Sequence, residues 1–598
     1  MARLTVAPAI VVLGAGALPV AERIRARYQG ATIHALAGRA EGDVAFSELG
    51  AHLRALYARG NPVVALCAAG IVIRCVAPCL ADKGIEPPVL AVAEDGSAVV
   101  PLLGGLTGVN LLAREIAETL GIAPAITTSG ELRFGACVLN PPEGYALADI
   151  GAGKRFVSDL LAGASTRVDG AAPWLEGVAL PVDAAGSHAI RVTPRRAGGA
   201  GSGELLIHPR SVVVALAEGF AHRAASLAAP AQAADHEAGG DPLARRILDA
   251  LAAADLSPLA LAALVAPRQC MREAALARAA RELGVPLRFV ASEADPADTA
   301  AALLDAALAA GSIDASPAIT LDDHGKPSKS LAIAIAEAPV DANRLGQARG
   351  SLTVLGLGPG RADLLAPAAR LALAEATDIL GYATYVRMAG PFRADQRVHE
   401  TDNREELQRA RHAFELAAQG RRVAMVSSGD PGVFAMAAAV LEALDGAGEP
   451  AWDEVALEVV PGVSAAFATA AEAGAPLGHD FCVISLSDNL KPWGVIEERL
   501  ALAARADLVM AFYNPISKAR PWQLDRALEI LREIRAADTV VVLGRDVGRP
   551  GASLRSLTLG ELRTADVDMR TMVIVGSSKT RRFASAEREW IYTPRFYD

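Results

Sequence analysis

The sequence predicts an α/β fold repeated over several domains, and three observations carry that expectation. Short apolar runs alternate with Ala-, Leu-, Arg- and Glu-rich segments of helical period through most of the chain. Each run closes on Gly, Ser, Asp or Pro, the residues that end a strand at a tight turn. The 598 residues exceed what one core organises, since domains hold roughly 100–200 residues each. A composition of 52% hydrophobic and 21% charged residues suits α/β domains of ordinary type.

Taken in order, "AIVVLGAG", "PVVALCAAG" and "AITTSG" are the strand-and-turn segments of the N-terminal half. The leading "LTVAPAIVVLGAGALPV" is apolar, but its only early charge is Arg3, and "AERIRARY" continues it at once as an amphipathic helix. Strand, turn and helix is therefore the expectation there, not a secretory leader. No apolar run reaches the roughly 18 residues of a membrane span, and a cytoplasmic protein is expected. Residues 223–243, rich in Ala, Pro and Gly, read as a connector. Residues 338–351 lack periodicity and precede a fresh strand, which puts the main boundary there. "SLTVLGLGPG", "RRVAMVSSGD", "LEVVPG", "LVMAFYNP", "TVVVLGRD" and "TMVIVGSS" are the strands of the C-terminal half, expected as βα units on largely parallel sheets. The expected division is 1–140, 141–222, a linker at 223–243, 244–340, 350–475 and 476–598.

The net charge of −10 argues against a general nucleic-acid binder, which needs a basic face for phosphates, but leaves room for a local basic pocket. Six cysteines in a chain this long form no disulfide framework. Cys67, Cys75 and Cys79 match no common zinc spacing and read as buried thiols, so no metal is expected. The pair Asp322-Asp323 sits in a hydrophilic stretch and reads as a turn.

The loop Gly356-Leu357-Gly358-Pro359-Gly360 invites a dinucleotide reading. A dinucleotide fingerprint needs a third glycine against its helix and an acid ending the next strand. Here Arg361 holds the next position, Asp378 opens the following run, and Pro359 removes an amide. Downstream, "VSSGDPGVFAMA", "VVPGVSAAFATA", "FYNPISKARPWQL" and "VVLGRDVGRP" each place small residues at the carboxyl end of a strand, where open parallel sheets bind ligands. Asp430 reads either as an acid facing a ligand or as a helix N-cap.

These loops, with "PLGHDFCVISLSDNLKPW" and "VDMRTMVIVGSS", resemble the tetrapyrrole (class III) S-adenosylmethionine methyltransferases of cobalamin biosynthesis, and within them the precorrin-3B C17-methyltransferase subgroup. The resemblance covers about residues 350–598. It implies a two-domain tetrapyrrole methyltransferase fold, S-adenosylmethionine as co-substrate, a tetrapyrrole acceptor that is methylated and ring-contracted, and a homodimer. Carried over by motif, the cofactor contacts are Pro359, Ser428, Gly429, Asp430, Val433, Ser464, Ala465 and Asn514, with Gly544 and Arg545 added at a further strand end. Tyr382 stands where related enzymes place a residue facing the tetrapyrrole, though a core or rim tyrosine fits as well. A polycarboxylate acceptor calls for Lys or Arg contacts, for which Lys491, Lys518, Arg520 and Arg545 are the candidates. Arg361 stands where this family often has an acid.

The stretch Cys67–Glu131 resembles a second cobalamin-pathway family, the cobalt-precorrin-5A hydrolases, and that resemblance extends over most of residues 1–340. It implies α/β domains of hydrolase-like type. Where that family carries Gly-His, this chain reads Gly104-Gly105-Leu106-Thr107, and leucine cannot activate water. Two readings stand: a degenerate module kept for binding, channelling or stability, or an active hydrolase using Thr127, Thr128 or Glu131.

Overall fold

The computed structural model describes residues 7–28, 30–80, 86–196, 203–217, 241–291, 299–321, 329–390, 392–393, 395–402, 406–585 and 588–596. The chain divides into two compact units, residues 1–349 with 391–395, and residues 350–390 with 396–598.

Among the described residues the first unit holds three sheets. In the first, Val44–Phe46, Thr32–Leu36, Ala9–Val12, Val63–Leu66 and Val89–Val92 run parallel, and Val99–Leu103 closes the edge antiparallel. Both faces are covered, which is why the central strands read as unbroken apolar runs such as "AIVV" and "VVAL". Cys67 lies in this core, and burial pushes its thiol up to about 11. The second sheet, Tyr145–Leu147, Glu204–Pro209, His188–Val192 and Thr166–Asp169, packs on the helix Ile150–Leu161 through Phe156 and Leu160. The third comprises Leu287–Val290, Leu261–Pro267, Val212–Leu216, Leu331–Ile335 and Ile319–Leu321.

Two expectations for this unit need correction. "AITTSG" forms no strand; Ser129 starts the short helix Ser129–Phe134, and the preceding residues are irregular. Val212–Leu216 precedes the expected connector, yet it is the central strand of the third sheet, bonded to Leu261–Pro267 and Leu331–Ile335. The third domain therefore takes its central strand from before that stretch, which lies mostly outside the described residues; its last positions open the helix Pro242–Ala253. Asp322-Asp323 also lies outside the described residues.

In the second unit, the first sheet is wholly parallel, in the order Arg397–Thr401, Asp378–Tyr382, Arg422–Ser427, Ser351–Gly356, Ala456–Val460. Asp378 is fully buried at the amino end of its strand, where Arg421 Nη2 (2.6 Å) and His399 Nε2 (2.8 Å) meet its carboxylate. A buried carboxylate demands such partners, so Asp378 serves the fold, at the end remote from the glycine loops. The second sheet runs Phe481–Ser485, Val509–Tyr513, Thr571–Val575, Val540–Arg545, Ser553–Thr558. Only its first pair is parallel, so this sheet departs from the largely parallel expectation. The helix Ala465–Ala473, expected in the first domain, lays Ala466, Ala470 and Ala473 on Val509, Ala511, Val542 and Ile574 of the second sheet. Its packing moves the division between the two layers from residue 475 back to the loop before Ala465.

Candidate active site

The strands Arg422–Ser427, Ser351–Gly356 and Ala456–Val460 are neighbours and parallel, so the three loops at their carboxyl ends emerge side by side. Their backbones are joined to one another. Leu357 N donates to Ser427 O (2.8 Å), Gly358 N to Gly429 O (3.1 Å), and Gly429 N to Gly358 O (2.8 Å). Gly358 and Gly429 hold φ of +67° and +66°, which glycine adopts without cost. A Cβ on Gly356 or on Gly462 would collide with the carbonyl oxygen of Gly429. Asp430 completes the lock: Oδ1 accepts from Gly432 N (2.8 Å) and Oδ2 from Gly462 N (3.0 Å). The helix that follows begins only at Met436, so Asp430 is not its N-cap; its carboxylate joins two loops.

The second sheet brings Ser485, Tyr513 and Arg545 to one edge, because their strands run in the same direction. Tyr513 Oη bonds Ser464 Oγ and accepts from Ala466 N (3.1 Å), tying the third glycine loop to this edge. Asn514 holds φ +51° and donates Nδ2 to Ser485 Oγ (3.2 Å). Gly544 leaves room for Thr469, against which any Cβ would clash. From the loop beyond, Arg549 donates Nε to Pro359 O (3.0 Å) and Nη2 to Ser428 Oγ (3.1 Å). Gly548, at φ +85°, lies against the Pro359 ring. Arg549 and Tyr513 therefore tie the loops of the parallel sheet to the mixed five-stranded sheet.

Pro359, Ser428, Gly429, Asp430, Val433 and Ser464 thus sit on three joined loops and Ala465 opens the helix after the third, while Asn514 bonds Ser485 and Gly544 packs against Thr469 of that helix. Arg545 and Arg520 are otherwise engaged. Arg545 is committed to Asp568 (2.8 Å) and Asp546 (3.1 Å). Arg520 is buried and donates Nη1 to Asn514 O (2.9 Å), so it shapes the loop from within. Lys518 is exposed. Lys491 brings Nζ 6.0 Å from the centre of the Phe434 ring, and burial together with Arg499 holds its ammonium below the ordinary lysine range. Tyr382 ends the strand Asp378–Tyr382, half-buried, with its ring 5.3 Å from that of Tyr385. Burial pushes the Tyr385 hydroxyl up. Arg361 is exposed and pairs with Asp363. Sequence reasoning passed over Arg549, Tyr513 and Phe434. All three lie inside the quoted motifs, but only the fold reveals what they touch.

In the first unit, a cavity of about 300 Å³ is lined by Gly105, Leu106, Thr128, Glu131, Phe134 and Cys137, among others. Glu131 lies almost wholly buried beside it, with Oε1 accepting from Asn110 Nδ2 (2.7 Å) and Oε2 paired with Arg114 Nη1 (2.7 Å). Thr128 Oγ1 accepts from the same Asn110 amide (3.0 Å). Thr127 is exposed.

Residues 351–563 match the Tetrapyrrole (Corrin/Porphyrin) Methylases, and the chain belongs to that family. Residues 51–131 match Cobalamin synthesis G N-terminal, a separate family. Among relatives, "Precorrin-3B C(17)-methyltransferase" of Sinorhizobium sp is 52% identical over 42% of this chain and 97% of that protein. "Cobalamin biosynthesis protein CobIJ" of Mycobacterium tuberculosis is 46% identical over 47% of this chain and 54% of that protein, so the chain spans about half of that relative. A crystal structure of the methyltransferase CobJ is 52% identical, covering 41% of this chain and all of that one, with a TM-score of 0.39.

The family's methyl donor is S-adenosylmethionine. The cleft fits it on its own chemistry. The donor carries no phosphate, and this cleft offers glycine backbone and small side chains in place of a phosphate cradle. Two buried hydroxyls on the elements that frame it, Ser427 Oγ and Thr469 Oγ1, have no hydrogen-bond partner among the described residues.

Gly462→Ala tests the three-loop lock. The added methyl has no space beside Gly429 O, so the loops must part. We expect a loss of about 1–3 kcal/mol in the second unit's stability, read by urea unfolding. Unchanged stability would mean that the loops do not bear on one another as described.

Proposed function

We propose that the chain transfers a methyl group from S-adenosylmethionine to C17 of precorrin-3B, with contraction of the macrocycle to precorrin-4, in corrin biosynthesis. The observation that carries this reading is the three-loop cradle together with a relative of that activity matched over nearly its whole length. The sulfonium supplies an electrophilic methyl group with a neutral leaving group. The protein's work is then mainly to hold the acceptor carbon in line with it. Gly429, Ser464 and Asn514 set the shape of the donor side, and the Asp430 lock and the Arg549 clamp keep the loops preorganised. Lys491 and Lys518 meet acceptor carboxylates at the rim, and Tyr382 faces the macrocycle from the end of its strand.

For the first unit, we read a binding module without hydrolysis. Leu106 occupies the cavity wall where the resemblance expects a histidine, and the buried Glu131 carboxylate is engaged by Asn110 and Arg114. A second copy of the chain is the partner we assign to the second unit. Val459 and Val483 on the edge strands Ala456–Val460 and Phe481–Ser485, with Phe467 and Phe481, leave apolar surface exposed. Phe467→Glu is expected to turn a dimer into a monomer in light scattering; a monomeric unaltered protein would contradict this. Among the described residues no helix is long and apolar enough to cross a membrane. With none of its six cysteines in a disulfide, we place the protein in the cytoplasm.

The purified full chain, given S-adenosylmethionine and either metal-free precorrin-3B or its cobalt-bearing counterpart, should yield a product one methyl heavier by mass spectrometry. Incubated with the lactone-bearing corrin intermediate, it should release no two-carbon fragment. Absence of methylated product from both acceptors would refute the first reading, and two-carbon release would refute the second.

A further inference from the structure

Phe434 combines three properties that the fold alone does not call for. Its φ is +52°, in the left-handed region that bulky side chains avoid. Its side chain is 51% exposed, so the strain is not offset by burial. The segment is also tightly held: Val433 N donates to Asp430 O (3.3 Å), Ala437 N to Pro431 O (2.9 Å), and Asp430 holds Gly432 N and Gly462 N. A strained residue persists where its surroundings over-determine it, and such residues cluster at ligand sites.

Its neighbours give the position a chemical character. The ring lies 5.4 Å from that of Tyr513, tilted by 57°, and Tyr513 is itself fixed by Ser464 and Ala466. On another side is the Lys491 ammonium. Leu490, 93% exposed, precedes Lys491 in the chain. An open aromatic face beside a cation, on the loop that also carries the donor-site residues Gly429 and Asp430, suits a flat conjugated ligand with carboxylate substituents.

We propose that Phe434 is an acceptor-contacting, specificity-determining residue, a platform for the macrocycle face with Lys491 meeting one of its carboxylates. This rests on the methyltransferase reading above and adds the residue that sets the acceptor plane. The strained backbone turns the ring out of the core and toward the acceptor, while the lock beneath it keeps the donor site unchanged.

The test uses the full chain and its Phe434→Leu, Phe434→Gly and Lys491→Met variants, with precorrin-3B as acceptor at saturating S-adenosylmethionine. Loss of the ring is expected to raise KM for the acceptor about tenfold in both Phe434 variants, and Lys491→Met to raise it several-fold. Calorimetric affinity for S-adenosylhomocysteine should stay within about twofold of the unaltered protein. Phe434→Gly should melt no lower than Phe434→Leu, because glycine adopts the left-handed conformation without strain. An unchanged acceptor KM in both Phe434 variants would overturn the platform, as would a donor-site affinity that falls in step with KM. If the unaltered chain methylates no tetrapyrrole, the methyltransferase reading falls first and this proposal with it, a result visible before any variant is made.

Discussion

The carbonyl oxygen of Gly429 occupies the space that a Cβ of Gly356 or of Gly462 would need. Everything else at the site follows from that contact. Three neighbouring parallel strands deliver three loops to one edge, and only glycine lets their backbones close on one another. Once closed, they exchange amide bonds across Gly358 and Gly429, and Asp430 ties the middle loop to the third. The result is a floor of backbone and small side chains, open to a ligand that carries no phosphate.

The second sheet completes that floor. Because Ala465–Ala473 rests on the C-terminal sheet while its leading loop belongs to the N-terminal one, a single short helix couples the two layers. Tyr513 and Arg549 reinforce the same junction from the other side, through Ser464, Pro359 and Ser428. The positions of the loop residues are therefore set by both layers.

Much of this was legible in the sequence. The strand-and-glycine punctuation marked the C-terminal strands, and Pro359 in the first loop turned the reading away from a dinucleotide. The rest depended on non-local geometry. Asp430 reads as a cap or a ligand contact because nothing local says that Gly462, thirty-two residues away, will present its amide. Arg520 and Arg545 look like free cations until the fold gives them Asn514 O and the Asp546–Asp568 pair. Strand direction in the last sheet was misjudged because apolar runs closed by glycine look alike whether their neighbours are parallel or antiparallel. "AITTSG" has the β-branched content of a strand, but Ser129 begins a helix that places Glu131 against Arg114. That ion pair is non-local, and it sits beside a cavity that Glu86 and Glu131 both line.

The central claim is that the joined glycine loops bind the adenosyl sulfonium donor and not a dinucleotide. Titration of the full chain with S-adenosylhomocysteine, and separately with NAD, in a calorimeter tests it most directly. The account predicts saturable binding of S-adenosylhomocysteine at one site per chain and no heat from NAD. Binding of NAD, or no binding of S-adenosylhomocysteine, would contradict it.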